Sequence, residues 1–72
     1  MDGYVSVEEL KNRLLAMMEI NLVKSKRFST WAKQLSVIHY DRAVAVHTIA
    51  NELLGIDLLD GADENMLKLL GV

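Results

Sequence analysis

The sequence contains neither cysteine nor proline, and its four glycines are all isolated. Without cysteine, no disulfide bond and no thiolate metal site can stabilise the chain. Without neighbouring glycines, the loop that cradles phosphate groups in nucleotide-binding proteins is missing. The strictly apolar runs are far shorter than the ~20 residues that a helix needs to cross a bilayer, and the opening MDGY carries an acid and no basic region. We therefore expect neither a membrane span nor a secretory signal, and we expect a cytoplasmic location.

The chain is instead rich in apolar residues, since 51% of its 72 residues are hydrophobic. That fraction, together with the absence of proline, predicts a folded helical domain and argues against disorder. At this length we expect a single helical domain, residues 1–72, with a small hydrophobic core. Small domains that lack disulfides and metals are often stabilised by oligomerisation, so we expect a homodimer.

The helical pattern at the centre of the predicted fold covers residues 40–54, YDRAVAVHTIANELL, and stops at Gly55. Its apolar residues recur at the helical period and fill about half of the helical wheel. So wide an apolar arc is typical of a helix that several neighbours contact, and we expect Ile49 and Leu53 to lie in the core. Gly55 should end this helix in a left-handed conformation, followed by the hydrophobic residue Ile56.

Before this central helix the sequence predicts two others. Ser6 and Glu9 form the capping-box pattern, which predicts a first helix over residues 7–23. A hydroxyl residue could cap a second, short helix over residues 30–35, whose aromatic and leucine side chains would face the core. Residues 36–39 would then join this short helix to the central one.

After the central helix, Asp60 or Asp63 could cap a last short helix that runs through Leu70, and Gly71 would end it. No sustained alternation of apolar and polar residues indicates a strand. The sequence therefore predicts an all-α fold, a small compact bundle of three main helices plus a short C-terminal helix.

The net charge of -2 conceals an uneven distribution along the chain. Residues 24–47 carry five bases and one acid, whereas the segments before and after them are acidic. A basic middle between acidic ends can attract an acidic partner, or it can let the protein pair with itself.

The sequence offers little that could support catalysis. His39 and His47 are the only histidines, and about two helical turns separate them, which is too far for one metal chelate. No cysteine is present to act as a nucleophile. We therefore predict no catalytic residue, no metal site and no cofactor, and we expect His47 to be packed and hydrogen-bonded.

Residues 32–37 read AKQLSV. This segment resembles the AKxLGV segment of helix-turn-helix proteins, in which a small residue and the turn allow close packing of the helix that reads DNA. The resemblance implies a DNA-binding regulator that uses the basic middle, residues 24–42. The sequence departs from the pattern at Ser36, where the turn usually has glycine, and at Arg42, where an apolar residue is usual. Two acids on the exposed side of that helix would also face a phosphate surface of the same sign.

The function that we predict is a non-enzymatic protein–protein interaction or regulatory module, which binds a larger protein partner and associates with itself along the first predicted helix. Leucine and methionine on one side of that helix suit such a surface. The predicted partner-binding residues are two apolar residues outside that side and the bases of the middle segment: Ile20, Val23, Lys24, Lys26, Arg27, Lys33 and Arg42. Nucleic acid is the alternative partner, and we expect no membrane partner.

Asn21 falls within the apolar arc of the first predicted helix. Two interpretations are open. Either it lies near a helix end and reaches solvent, or it is buried and fixes the register of a helix pair.

Overall fold

The computed structural model describes residues 6–71. They form helix α1 (Val7–Phe28), helix α2 (Lys33–Leu54), a short 3-10 turn (Leu58–Gly61) and helix α3 (Glu64–Leu70). No strand occurs in this part of the chain. The prediction of an all-α fold is therefore confirmed, but the arrangement of the helices differs from the predicted bundle.

Helix α1 begins as predicted and ends later than predicted. The Ser6 hydroxyl accepts a hydrogen bond from the Glu9 N–H at 3.0 Å, which satisfies one of the free donors at the helix start. The basic segment after residue 23 is not a connection, because it continues the helix through Phe28. It contains no helix breaker, and Lys26 and Arg27 carry favourable charge at the negative end of the helix dipole.

Helix α2 is one uninterrupted helix of 22 residues, so the predicted short helix over residues 30–35 and the joint over residues 36–39 are wrong. The physical reason is a tertiary contact at Ser36. Its hydroxyl donates to the carbonyl of Ser25 at 2.7 Å, and the two hydroxyls lie 3.2 Å apart. The Ser25 carbonyl lies in the last turn of α1, where carbonyl groups have no partner within the helix. Two small polar side chains therefore join the helices where the sequence pattern suggested a break.

The resulting core unit is a hairpin of two long antiparallel helices that are joined by a turn at residues 29–32. Contacts between Ser25 and Ser36 and between Asn21 and His39 show the antiparallel course, because positions rise on one helix as they fall on the other. The 3-10 turn and α3 both contact this hairpin, and the molecule measures 44 × 24 × 19 Å.

The C-terminal part follows the sequence prediction closely. Gly55 ends α2 with a φ of 65°, and Gly71 ends α3 with a φ of 81°, the left-handed conformation that glycine adopts without steric cost. The carboxylate of Asp63 accepts the Met66 N–H at 2.8 Å and caps α3. The predicted short C-terminal helix is therefore confirmed, and Ile56, which follows the cap of α2, is buried.

The core lies between the hairpin and the C-terminal elements. Met18, Leu22 and Leu58 are its largest fully buried side chains. Helix α2 contributes Ala43 and Ala50, which are small enough to let α1 and the 3-10 turn approach closely.

The prediction that Ile49 and Leu53 lie in the core is wrong. Their side chains are 52% and 77% exposed. The alanines of α2 face the core, and the neighbouring branched side chains lie on the surface.

Gly61 allows the close approach of the 3-10 turn to α1. A Cβ atom at this position would lie 2.5 Å from the Leu15 Cδ1 atom, so any larger residue would require the Leu15 side chain or the turn to shift. This requirement comes from packing and not from φ, and no local sequence signal indicates it.

Candidate interaction surface

The hairpin has two sides, and only one of them is covered. On the covered side, the 3-10 turn packs against both long helices and α3 packs mainly against α1, while the Tyr40 hydroxyl of α2 donates to the carbonyl of Leu70 at 2.8 Å. On the other side no described element packs against α1 and α2. We call that side of the hairpin the open face.

The open face is lined by large apolar side chains that are about half exposed or more. By the 100° advance per helical residue, these side chains lie on one side of the hairpin. They are Met17 from α1 and Leu35, Ile38, Ile49 and Leu53 from α2. Isolated exposed apolar residues are normal, whereas several large apolar side chains on one side of a molecule are typical of contact surfaces.

The α2 part of the open face has the spacing of an interhelical contact. Leu35, Ile38, Arg42, Ala45 and Ile49 follow one another at alternate steps of three and four. This 3.5-residue repeat keeps one seam of a helix facing a partner helix. Arg42 is the single charged residue within it.

Three rings in contact mark the turn end of the open face, two of them stacked and one edge-on. The ring of Phe28 lies on that of His39, with centroids 5.7 Å apart and planes 18° apart. Trp31 packs edge-on against Phe28 at 5.1 Å, yet 70% of its surface is exposed. The prediction that Trp31 faces the core is therefore wrong, because the turn holds its ring at the end of the hairpin.

A polar pair crosses the hairpin in the same region. The side-chain oxygen of Asn21 lies 3.0 Å from His39 Nδ1, and its amide nitrogen donates to the carbonyl of Met17 at 2.9 Å. Since the amide oxygen can only accept, Nδ1 of His39 is the donor. Asn21 is partly buried and bonded across the helix pair, so it does not simply reach solvent, and its role in fixing the register of the two helices stays a prediction.

The charges separate along the length of the hairpin. The bases Lys24, Lys26, Arg27 and Lys33 surround the turn between α1 and α2. At the opposite end acids outnumber bases, and they come from the start of α1, the end of α2 and the 3-10 segment: Glu8, Glu9, Glu52, Asp57 and Asp60. One of the two bases at that end, Arg13, is bonded to Glu9 at 2.8 Å. The hairpin therefore has a basic end and an acidic end.

The seven residues predicted to bind a partner do not form one site. Four of them line a shallow groove of about 210 Å³ on the side of α1 that faces away from α2: Ile20, Val23, Lys24 and Arg27. Glu19 is the fifth residue that lines this groove. We call this the outer groove. Lys26 instead lines a polar cleft of about 370 Å³ between α1, α2 and α3, which Lys68 and Asn65 also line. Lys33 borders an apolar depression at the start of α2, and Arg42 lies on the open face.

The turn implied by the helix-turn-helix resemblance does not form. Ser36 lies in the first turn of the continuous helix α2, Ala32 is the residue that precedes this helix, and residues 33–35 are its start. The two long helices run antiparallel, whereas the two helices of that motif cross at a steep angle.

The two histidines are structural side chains in this fold. His39 is bonded to Asn21 and stacked on Phe28. His47 is packed as predicted, but its Nδ1 atom is buried without a hydrogen-bond partner. Within residues 6–71, no three histidine or acidic side chains are grouped so that they could hold a metal ion.

No family model, no curated protein and no solved structure matches this chain. Neither of the long helices, nor any other helix within residues 6–71, is long and apolar enough to cross a membrane.

Proposed function

We propose that this protein is a non-enzymatic interaction module that associates with a second copy of itself through the open face. The observation that carries this proposal is the row of large apolar side chains along α2 that no described element covers. Burying apolar surface contributes about 25 cal/mol per Å², so covering the open face favours association. A 72-residue chain without disulfides has little other means of adding to its core.

The face that we propose for self-association differs from the one expected from the sequence, which lay along the first helix. Most of the apolar side of α1 packs inside the chain, with Met18 and Leu22 fully buried. That side is therefore already occupied, and α2 supplies the free apolar surface. We place the self-association on α2 for this reason.

The outer groove supports the second half of the proposal, which is contact with a larger protein. Ile20 and Val23 are exposed there beside the bases Lys24 and Arg27 and the acid Glu19. An apolar pair in a groove whose lining carries a net positive charge suits an acidic, partly apolar protein surface. The groove points away from α2, so it stays accessible when the open face is occupied. A cytoplasmic location and a regulatory role are predictions that accompany this proposal.

Sedimentation equilibrium at micromolar concentration tests the self-association. We expect a species of twice 8.1 kDa that dissociates on dilution. A species of 8.1 kDa at every concentration would defeat the proposal.

Two isoleucines form a matched pair for this experiment, since Ile49 on the open face is 52% exposed and Ile20 in the outer groove is 53% exposed. We expect Ile49→Glu to abolish the dimer, because it places an unpaired charge in the contact. Ile20→Glu should leave the dimer intact. If Ile20→Glu abolishes the dimer and Ile49→Glu does not, the contact between the copies lies on α1.

DNA binding is the alternative function, and the open face distinguishes it from self-association. Binding to phosphates should weaken steeply with salt and should be insensitive to Ile49→Glu. If the protein is retained on DNA at low salt and remains a monomer throughout, the alternative is correct.

A further inference from the structure

We propose that the second copy docks antiparallel, α2 against α2, so that Trp31 of each copy packs near Leu53 of the other. This inference rests on the proposed self-association and adds its geometry. It follows from three features of the open face, namely its spacing, its ends and its charges.

The spacing defines how two α2 helices can meet. In an antiparallel pair related by a two-fold axis, the positions that face each other add up to a constant. The seam is symmetric when Ile38 of one copy faces Ile49 of the other, which also places Arg42 opposite Ala45. The long side chain of Arg42 then lies opposite Ala45, the smallest side chain of the seam. An antiparallel pairing thus fits the two isoleucines against each other and the arginine against alanine, whereas Leu35 lies opposite Glu52 at the edge of the contact.

The two ends of the open face support the same orientation. Trp31 and Leu53 lie at opposite ends of α2, and both are more than two-thirds exposed. The register that pairs Ile38 with Ile49 brings the turn of one copy to the C-terminal end of α2 in the other. Trp31 then lies near Leu53 of the partner copy, so each of these exposed side chains is covered. A parallel arrangement would instead place the two tryptophans side by side and the two leucines side by side.

The charge separation selects between these two orientations. An antiparallel pair places the basic end of each hairpin beside the acidic end of its partner. Lys33 at the start of α2 then lies near Glu52 close to the end of the partner helix. A parallel pair would bring four bases next to four identical bases. Exposed ion pairs contribute only about 0–1 kcal/mol each, so they select the orientation and the apolar seam supplies the affinity.

Arg42 is the one group on the seam that opposes this association, because the two copies of it approach each other near the axis. Its aliphatic stem can pack on Ala45 while the guanidinium group reaches the edge of the contact. We expect Arg42→Leu to tighten the dimer several-fold by removing this charge. A looser dimer would contradict the register, and loss of DNA retention would point to a phosphate contact.

The size of the surface is adequate for such a contact. A stable interface buries about 800 Å² on each partner. The described residues expose 5190 Å², so roughly one-sixth of that surface would be covered. One long side of an elongated hairpin can supply that fraction.

The orientation is tested by disulfide cross-linking, for which the absence of native cysteine makes the chain well suited. We would prepare Ile38→Cys and Ile49→Cys separately, mix equal amounts at micromolar concentration and oxidise them with oxidised glutathione, which accepts the two electrons and two protons that each new disulfide releases. Cysteine is itself a small apolar residue, so both variants keep the seam apolar.

The antiparallel register predicts more mixed disulfide, between position 38 of one copy and position 49 of the other, than random pairing would give. A parallel pair predicts that each variant cross-links with itself, and that result would overturn the inference. Val23→Cys in the outer groove is the control and should form no specific cross-link. Cross-linking at Val23 with none at the α2 positions would also overturn it.

The single tryptophan gives an independent measurement of the same geometry. On dilution through the dimer's dissociation range, its emission should shift to longer wavelength as Trp31 loses the contact with Leu53 of the other copy. We expect Leu53→Ser to remove most of this shift while a dimer still forms. A dimer in which Trp31 emission is unchanged would refute the Trp31–Leu53 contact alone, whereas a monomer at every concentration would refute the self-association itself.

Discussion

The covered and the open sides of α2 differ in the size of their apolar residues. The covered side has the buried alanines Ala43 and Ala50, whereas the open side has Leu35, Ile38, Ile49 and Leu53. Small residues allow two backbones to approach, and the space between them is then filled by Met18, Leu22 and Leu58 from the neighbouring elements. The large side chains on the other side keep any neighbouring backbone further from α2. The space beside them can be filled by the side chains of another helix. Hydrophobicity alone therefore does not identify the inward side of a helix in so small a protein.

Met18 and Met17 give the sharpest test of this difference, because they are adjacent and identical in type. Met18 is fully buried and Met17 is 50% exposed on the open face. We expect Met18→Ala to lower the free energy of unfolding by about 2–5 kcal/mol, since it leaves a cavity in the core. Met17→Ala should cost less than about 1 kcal/mol. Urea denaturation measures both, and equal losses would mean that the assignment of the two sides is wrong.

The next largest effect on the free energy of unfolding should come from replacing a buried alanine with a larger residue. Ala50 is fully buried against the C-terminal elements, whereas Ala45 lies on the seam of the open face. Ala50→Leu should destabilise the fold by about 1–3 kcal/mol through overpacking. The same change at Ala45 should leave the stability of the monomer almost unchanged. Thermal melting of the two variants at low protein concentration compares them directly, and tolerance of leucine at position 50 would argue against a tightly packed covered side.

The bond between Asn21 and His39 should contribute less. Asn21→Ala removes a partly buried hydrogen bond across the hairpin and should cost about 1 kcal/mol. Asn12 is exposed on the same helix, and Asn12→Ala is the control that should have little effect. Equilibrium unfolding compares the two. If Asn21→Ala is as stable as the control, the polar pair does not hold the two helices in register.

The smallest effect on monomer stability is expected at Leu53, which the sequence pattern placed in the core. Its side chain is 77% exposed, so Leu53→Ala should change the free energy of unfolding of the monomer by only about 0.5 kcal/mol. The melting temperature should nevertheless become less dependent on protein concentration, because the dimer contact is weakened. If Leu53→Ala lowers the free energy of unfolding by several kcal/mol in dilute solution, Leu53 lies in the core after all.

Local signals in the sequence were sufficient to predict the ends of several elements. Ser6 and Asp63 cap their helices through side-chain oxygens, and Gly55 and Gly71 end theirs with positive φ. These features depend on residues within four positions of one another, so they can be recognised without knowledge of the fold. The same short range explains the correct prediction of an all-α chain.

The length of the two main helices was decided by tertiary contacts. The hydroxyl groups of Ser25 and Ser36, eleven positions apart, meet across the hairpin and hold both segments helical. In the sequence each serine looks like a cap or a break, since a serine hydroxyl often bonds to its own local backbone. Only the second helix provides the alternative partner.

The sequence by itself determined that this chain is helical, where several helices start and stop, and that bases and acids are segregated along it. Which side of each helix faces inward was decided by the tertiary structure. On α2 the apolar arc is wide enough to offer two inward sides, one of alanines and one of larger residues. The short C-terminal elements can cover only one of them, and they pack on the alanine side because Leu58 and Met66 fit the space that Ala43 and Ala50 leave. The larger residues, Ile49 and Leu53 among them, are left on the surface and form the face that we propose for a second copy.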